Sequence, residues 1–120
     1  MSEKLVIVCT HGPDDPELAT IPFVMATAAQ ASDVEVVMLM QARAVLLARQ
    51  GIASHIHAEN FPPLAELLDV FVEMGGKMLL CGPCFKSRQL SDDILVEGAE
   101  MANAGAQIAE IMSATNVLTY

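Results

Sequence analysis

The sequence predicts a single α/β domain, with helices on both faces of a mostly parallel five-stranded sheet. Two observations support this prediction. Short apolar runs rich in β-branched residues, such as Lys4–Cys9, are typical of strands buried on both faces. Helical segments separate these runs, and strands that alternate with helices form parallel sheets with right-handed crossovers. The 120 residues suffice for one hydrophobic core and not for two, so we expect residues 1–120 to form one domain.

The sequence of the first half of the chain predicts two strands, each followed by a helix. After the first strand, Asp15 can cap a helix and Pro16 can occupy its first position. The second strand is the apolar run VEVVMLM at residues 34–40. The short helix after it stops at Gly51, a residue type that favours helix C-termini.

The second half begins with the clearest helical pattern in the chain. Four apolar residues share one face there, at the spacing i, i+3, i+4 and i+7: Leu64, Leu67, Leu68 and Phe71. This helix ends at Gly75-Gly76, and the third strand follows. The predicted strands are residues 4–9, 34–40, 77–81, 100–102 and 117–120. The predicted helices are residues 17–31, 42–50, 63–74 and 104–113, with a helical turn at residues 92–96.

The strongest functional signal is a pair of cysteines after the third strand. The motif Cys81-Gly82-Pro83-Cys84 directly follows an apolar run, so both thiols emerge where a buried strand ends. The chain has a net charge of -9 and only six Lys and Arg residues, yet three of them lie near this motif: Lys77, Lys86 and Arg88. Positive neighbours lower the pKa of a thiol, and the thiolate is its reactive form. Sulfur chemistry is therefore the first hypothesis. The candidate residues for binding a substrate or an anion are Gly82, Lys86 and Arg88.

The expected strand order is 2-1-3-4-5, as in flavodoxin-like folds. Open α/β sheets react at the carboxyl ends of their strands, beside the point where strand order reverses, which in this order lies between strands one and three. Cys9 and Cys81 end those two strands. We therefore expect the loop at His11 to face the cysteine loop across a crevice, where His11 can exchange a proton with the Cys81 sulfur. The alternative is a loop histidine that bonds only to backbone.

The amino-acid composition limits the kinds of partner and the cellular location that we expect for this protein. Its negative net charge, the absence of Trp and the single Tyr argue against a nucleic-acid partner. No uncharged apolar run approaches the roughly 18 residues that a membrane helix needs. Three cysteines, an odd number, and a start without a secretory signal favour the cytoplasm. No phosphate-binding glycine loop occurs, and His55 and His57 are too few for a metal site, so we expect no cofactor and no metal. The hydrophobic share of 53% predicts contacts between subunits.

Cys-Gly-Pro-Cys is also the thioredoxin motif, but the rest of the chain differs. Thioredoxin-like folds place a cis-proline downstream of the motif, and no proline occurs from Phe85 to Tyr120. Nearly the whole chain instead resembles the DsrE/DsrF-like (TusD-like) sulfur-relay family. The resemblance rests on three places: the Gly12-Pro13-Asp14-Asp15 loop after the first strand, the cysteine that ends strand three with a basic residue several positions later, and the C-terminal strand at residues 116–120 after an apolar helix.

This resemblance implies a site and an assembly. In that family the cysteine after strand three carries a persulfide, a role that corresponds to Cys81, and the later basic residue corresponds to Arg88. The resemblance also implies a homotrimer or homohexamer that works with sulfur donor and acceptor proteins. Many members have a single cysteine in this loop. Cys84 therefore leaves open whether it resolves to a disulfide or receives sulfur from Cys81.

Three functions remain open at this point. The first is a cytoplasmic sulfurtransferase-like carrier that takes up sulfur as a persulfide on Cys81 and relays it to a protein partner. The second is a dithiol/disulfide redox protein, which needs both Cys81 and Cys84. The third is a non-catalytic oligomeric binding module that holds a small anion or peptide near Lys86 and Arg88, with inert thiols. Whether the carrier is an enzyme in its own right also remains open.

Overall fold

Five parallel strands form one open sheet in the computed structural model, which describes residues 3–90 and 94–120. The strands are β1 (Lys4–Cys9), β2 (Glu35–Met40), β3 (Lys77–Cys81), β4 (Ala99–Ala102) and β5 (Asn116–Thr119). The helices are α1 (Pro16–Ala31), α2 (Leu64–Glu73), α3 (Gly82–Ser87) and α4 (Ala104–Ser113). Two 3₁₀ segments, Ala42–Ala48 and Ala53–His55, lie between β2 and α2. The predicted fold class, a parallel α/β sheet with helices on both faces, is confirmed.

Some segments differ from those predicted. The segment after β2 is the 3₁₀ helix Ala42–Ala48 rather than an α-helix, and residues 82–87 form the short helix α3 where we expected a loop. The predicted turn at 92–96 lies partly outside the described residues. Its described part includes Leu95, which pairs with Arg49 in an isolated antiparallel bridge.

The strands lie in the order β4-β3-β2-β1-β5, and the predicted order 2-1-3-4-5 is wrong. β2 lies between β1 and β3 and pairs with both in parallel. The chain steps in one direction from β1 to β4, then returns across the sheet to place β5 beside β1. Strand order therefore reverses between β1 and β5, away from the end of β3. The error has a physical reason, because an apolar run specifies a buried strand without specifying its neighbours.

α1 and α2 pack together on one face of the sheet. The buried rings of Phe23 and Phe71 meet edge to face, with centroids 5.5 Å apart and planes at 87°, an arrangement that the aromatic quadrupole favours. Gln30 Nε2 donates to the carbonyl oxygen of Phe71 at 2.9 Å, which ties the two helices together. The start of α1 agrees with its sequence signal, because Asp15 Oδ1 accepts from the amide of Leu18 at 3.1 Å.

α4 covers the opposite face of the sheet. Its Ile111 packs against a second buried cluster that includes Val6 and Leu39. The outer side of the helix leaves two large apolar side chains in solvent, Ile108 at 55% exposure and Met112 at 79%. α4 is therefore apolar on two sides. Among the described residues, no helix has the length and apolar character that crossing a membrane requires.

Gly12 lies where the loop after β1 crosses the 3₁₀ segment Ala42–Ala48. A Cβ atom at this position would lie inside van der Waals distance of the carbonyl oxygen of Arg43, a backbone atom that cannot swing aside. The amide of Gly12 also donates to Asp14 Oδ1 at 2.7 Å, which fixes the loop against its own turn. The close approach of two backbones therefore requires glycine here.

We expect Gly12→Ala to lower the free energy of unfolding by about 1–3 kcal/mol, since the added methyl group forces one of the two backbones to shift. Urea unfolding followed by circular dichroism measures this loss. Gly105→Ala is the matched control, because a Cβ there meets only Asn103 Oδ1 at 3.4 Å and lies in a helix. The control should leave stability unchanged or raise it by up to about 1 kcal/mol. Equal stability of Gly12→Ala and the unmodified protein would contradict the packing described above.

Candidate functional site

Both thiols of the motif lie at the junction where β3 turns directly into α3. Cys81 is the last residue of β3 and the N-cap of α3, with extended backbone angles of φ -61° and ψ 119°. Pro83 suits the first turn of a helix for two reasons. Its ring fixes φ near the helical value, and proline lacks the N–H that in the first turn has no acceptor within the helix. Cys84 completes that first turn. Both cysteines are half-buried, so they combine a defined position with access from solvent.

The two thiols affect each other's ionisation. Hydrogen bonding with the Cys81 side chain is the largest cause that lowers the pKa of Cys84, ahead of the opposing effect of partial burial. The pKa of Cys81 is raised, first by burial and then by the same hydrogen bond, which holds its proton. Cys84 is therefore the thiol that ionises first. The two thiols therefore lose their protons in two steps, one at lower pH and the other at higher pH.

A backbone amide of the 3₁₀ segment also stabilises the Cys84 thiolate. Hydrogen bonding with the Ala42 backbone lowers the pKa of this thiol further. Ala42 has a φ of +51°, a left-handed conformation that non-glycine residues seldom adopt. Such strain persists only where the surrounding structure holds the residue in place. The end of β2 thus contributes a positioned donor to the cysteine pair.

Arg88 is the cation that acts on the thiols. Its charge lowers the pKa of both Cys81 and Cys84, as predicted for a positive neighbour. The guanidinium is held in place from α3 itself, since Nη1 donates to the carbonyl oxygen of Cys84 at 3.0 Å and to Ser87 Oγ at 3.2 Å. Arg88 therefore adds positive charge beside the sulfurs while fixing the last turn of α3.

Lys77 lies outside the site. It begins β3 and Cys81 ends it, so roughly 13 Å of extended strand separates the two residues. The interpretation that three cations surround the cysteines is therefore wrong for Lys77. Two other predicted residues, Gly82 and Lys86, line an open pocket of about 550 Å³ beside α3.

The pocket beside α3 lies next to the thiols without including them. Its walls come from α3 and from the turn between β4 and α4, and they include Pro83, Phe85, Met101 and Asn103. Most of this wall is apolar, with Lys86 at its edge. The cysteines themselves lie on the side of α3 that contacts the 3₁₀ segment through Ala42.

His11 is placed differently from our expectation. Because β2 separates β1 from β3, the loop at His11 and the cysteine turn follow strands about 10 Å apart, and they do not face each other across a shared crevice. His11 Nδ1 instead lies 3.0 Å from Asp14 Oδ2. This hydrogen bond and the Gly12 amide lower the pKa of Asp14. The role of His11 as a proton donor or acceptor for Cys81 stays a prediction without a contact that supports it.

The third cysteine is isolated from the other two. Cys9 is buried at 2% exposure, and burial raises its pKa to about 12. Its Sγ lies 3.9 Å from the carbonyl oxygen of Ile7, within its own strand. Cys9 is therefore a packing residue, and the solvent-accessible thiols of this chain are those of Cys81 and Cys84.

The fold and the site define a class of protein: a small parallel α/β domain that presents two coupled thiols at the carboxyl edge of its sheet. A sequence model of the DsrE/DsrF-like family matches residues 3–120. The chain therefore belongs to the DsrE/DsrF-like family, whose members are generally related to sulfur relay.

The chain is also similar to two archaeal proteins in sequence and to a solved bacterial structure in fold. An uncharacterized protein of Methanocaldococcus jannaschii is 29% identical over 98% of this chain and 99% of its own length. Another, from Methanopyrus kandleri, is 27% identical over 98% of this chain and 94% of its own. The crystal structure of the ychN protein from E. coli is similar in fold, with a TM-score of 0.83, 22% identity, and coverage of 98% of this chain and 99% of that one.

We expect alkylation by iodoacetamide to depend on pH with a midpoint below that of an ordinary cysteine, because the lowered pKa of Cys84 makes its thiolate available at lower pH. Cys81→Ala removes the donating thiol, so the midpoint for Cys84 should move to higher pH. Peptide-level mass spectrometry across a pH series measures both rates. Cys9→Ala serves as the control and should leave the curve unchanged. A midpoint unaffected by Cys81→Ala would refute the coupling between the two thiols.

Proposed function

We propose that this protein is a sulfur carrier that takes up sulfur as a persulfide on Cys81 and passes it to a protein partner. The observation that supports this most directly is the position of the two thiols, half-exposed where β3 turns into α3, with Arg88 bonded to the carbonyl oxygen of Cys84. A sulfur carrier needs a thiol that is accessible, can be deprotonated and is held near its donor. Membership of the DsrE/DsrF-like family agrees with this chemistry.

We propose different roles for the two thiols in the loading step. Cys84, the first to ionise, serves as the base, and Cys81 serves as the nucleophile. As Cys81 Sγ attacks the outer sulfur of a donor persulfide R–S–SH, its proton passes to the Cys84 thiolate. The bond between the two donor sulfurs breaks, and the donor leaves as the thiolate R–S⁻. The products are Cys81–S–SH and the neutral Cys84 thiol, so atoms and charge balance.

Arg88 supports the loaded state as well as the loading step. A persulfide ionises more readily than a thiol, and a fixed cation beside it favours the anionic form. The donors and acceptors are proteins in this proposal, because the sulfurs lie at the surface on a short helix rather than in a closed cavity. We also propose a reducing compartment, the cytoplasm, as the place of action, since all three cysteines are free.

Intact mass spectrometry after exposure to a loaded cysteine desulfurase tests the carrier. Cys84→Ser should gain the mass of one sulfur atom, because Cys81 remains to hold it and water can take the proton. Cys81→Ser should gain none, and Cys9→Ala should load like the unmodified protein. Sulfur gain in Cys81→Ser but not in Cys84→Ser would assign the carrier role to Cys84 and overturn the proposal for Cys81.

We further propose that the protein works as a homo-oligomer, a trimer or a hexamer, with a second copy of the chain covering the outer surface of α4. Ile108 and Met112 lie one helical turn apart on that surface, so they form one exposed apolar stripe. A charge placed inside a subunit contact costs far more than one left in water.

Met112→Asp should therefore shift the protein toward smaller species in size-exclusion chromatography with light scattering. Met25→Asp is the matched control, since Met25 is 43% exposed on α1, on the opposite face of the sheet. The control should keep the mass of the unmodified assembly. A monomeric unmodified protein, or an unchanged mass for Met112→Asp, would count against this surface as the subunit contact.

A further inference from the structure

The spacing of the two cysteines allows them to form a disulfide without moving the fold. Cys81 and Cys84 are three residues apart across the first turn of α3. In helix geometry, residues three apart have Cα atoms about 5 Å apart, which lies within the roughly 4.4–6.8 Å between the Cα atoms of disulfides. Each thiol also affects the pKa of the other in the reduced state. A disulfide between them is therefore compatible with this backbone.

We propose that this protein also releases its carried sulfur as hydrogen sulfide, by closing a disulfide between Cys81 and Cys84. This inference rests on the proposed persulfide on Cys81. It adds a second exit for the sulfur, which does not need an acceptor protein.

The releasing step balances with the groups on the protein alone. After its proton returns to water, the Cys84 thiolate attacks the inner sulfur of Cys81–S–SH, which is Cys81 Sγ. The bond between Cys81 Sγ and the outer sulfur breaks, and the outer sulfur leaves as HS⁻ with the bonding electron pair and its own proton. Counted from the two cysteine thiols, the carried sulfur is reduced by two electrons to sulfide and the two thiols are oxidised together to one disulfide. An external dithiol then reduces the disulfide and restores both thiols.

The surroundings of Cys84 favour this attack over simple storage. The Ala42 backbone and the Arg88 charge both lower the pKa of Cys84. Arg88 is held at this residue by its hydrogen bond to the Cys84 carbonyl oxygen at 3.0 Å, and α3 packs against the 3₁₀ segment that begins at Ala42. The groups that favour the Cys84 thiolate as a base during loading favour it equally as the attacking group during release.

A single-turnover experiment tests the release. Reduced protein is exposed briefly to glutathione persulfide, desalted, and analysed for free sulfide and for intact mass. The unmodified protein and Cys9→Ala should release about one sulfide per chain and lose the mass of two hydrogens, without retaining sulfur. Cys84→Ser and Cys84→Ala should retain one sulfur atom and release no sulfide. Addition of a dithiol should return the unmodified protein to its starting mass.

The results that would contradict the release differ from those that would contradict the carrier function. If the unmodified protein keeps its sulfur as stably as Cys84→Ser, the release is refuted while the carrier function stands. If Cys84→Ser and Cys84→Ala gain no sulfur, the carrier function fails and the release fails with it. A glutathione adduct on Cys84→Ser in place of sulfur would show that sulfide comes from direct attack on the donor's inner sulfur, which also overturns the proposal.

Discussion

The turn from β3 into α3 is the constraint on which the site depends. No loop separates the strand from the helix, so the residue that ends one caps the other, and the first helical turn fixes where the second thiol lies. The opposite pKa shifts of the two thiols and the placement of Arg88 both follow from that turn. A longer connection would leave the same residues in the chain without holding their sulfurs together. The chemistry is therefore a property of a backbone junction as much as of two cysteines.

The sequence predicted the elements better than it predicted their arrangement. Apolar runs and helix caps located the strands and α1 because these signals are local, as the Asp15 cap shows. The order of the strands is not local, since every strand of a parallel sheet presents the same apolar pattern to its neighbours. The wrong strand order also led to a wrong expectation for the site. It placed the His11 loop beside the cysteines, whereas β2 lies between β1 and β3, the strands that precede these two segments.

The candidate site, too, could be predicted only in part. The cysteines and Arg88 could be identified from the sequence, because a thiol or a charge is a property of the residue type itself. Ala42 could not be, because its contribution is a backbone N–H directed by a φ of +51°, and an alanine carries no signal for that. α3 was missed for a related reason. Six residues that begin with Gly82 and Pro83 are too few to show helical periodicity and contain two residues typical of turns.

The close approach of Gly12 to Arg43 has a consequence for the thiols. Arg43 follows Ala42, whose backbone lowers the pKa of Cys84, so the loop after β1 contacts the same 3₁₀ segment that acts on this thiol. A residue larger than glycine at position 12 would push against the backbone of that segment. The backbone around the cysteine pair thus depends partly on a residue that carries no side chain.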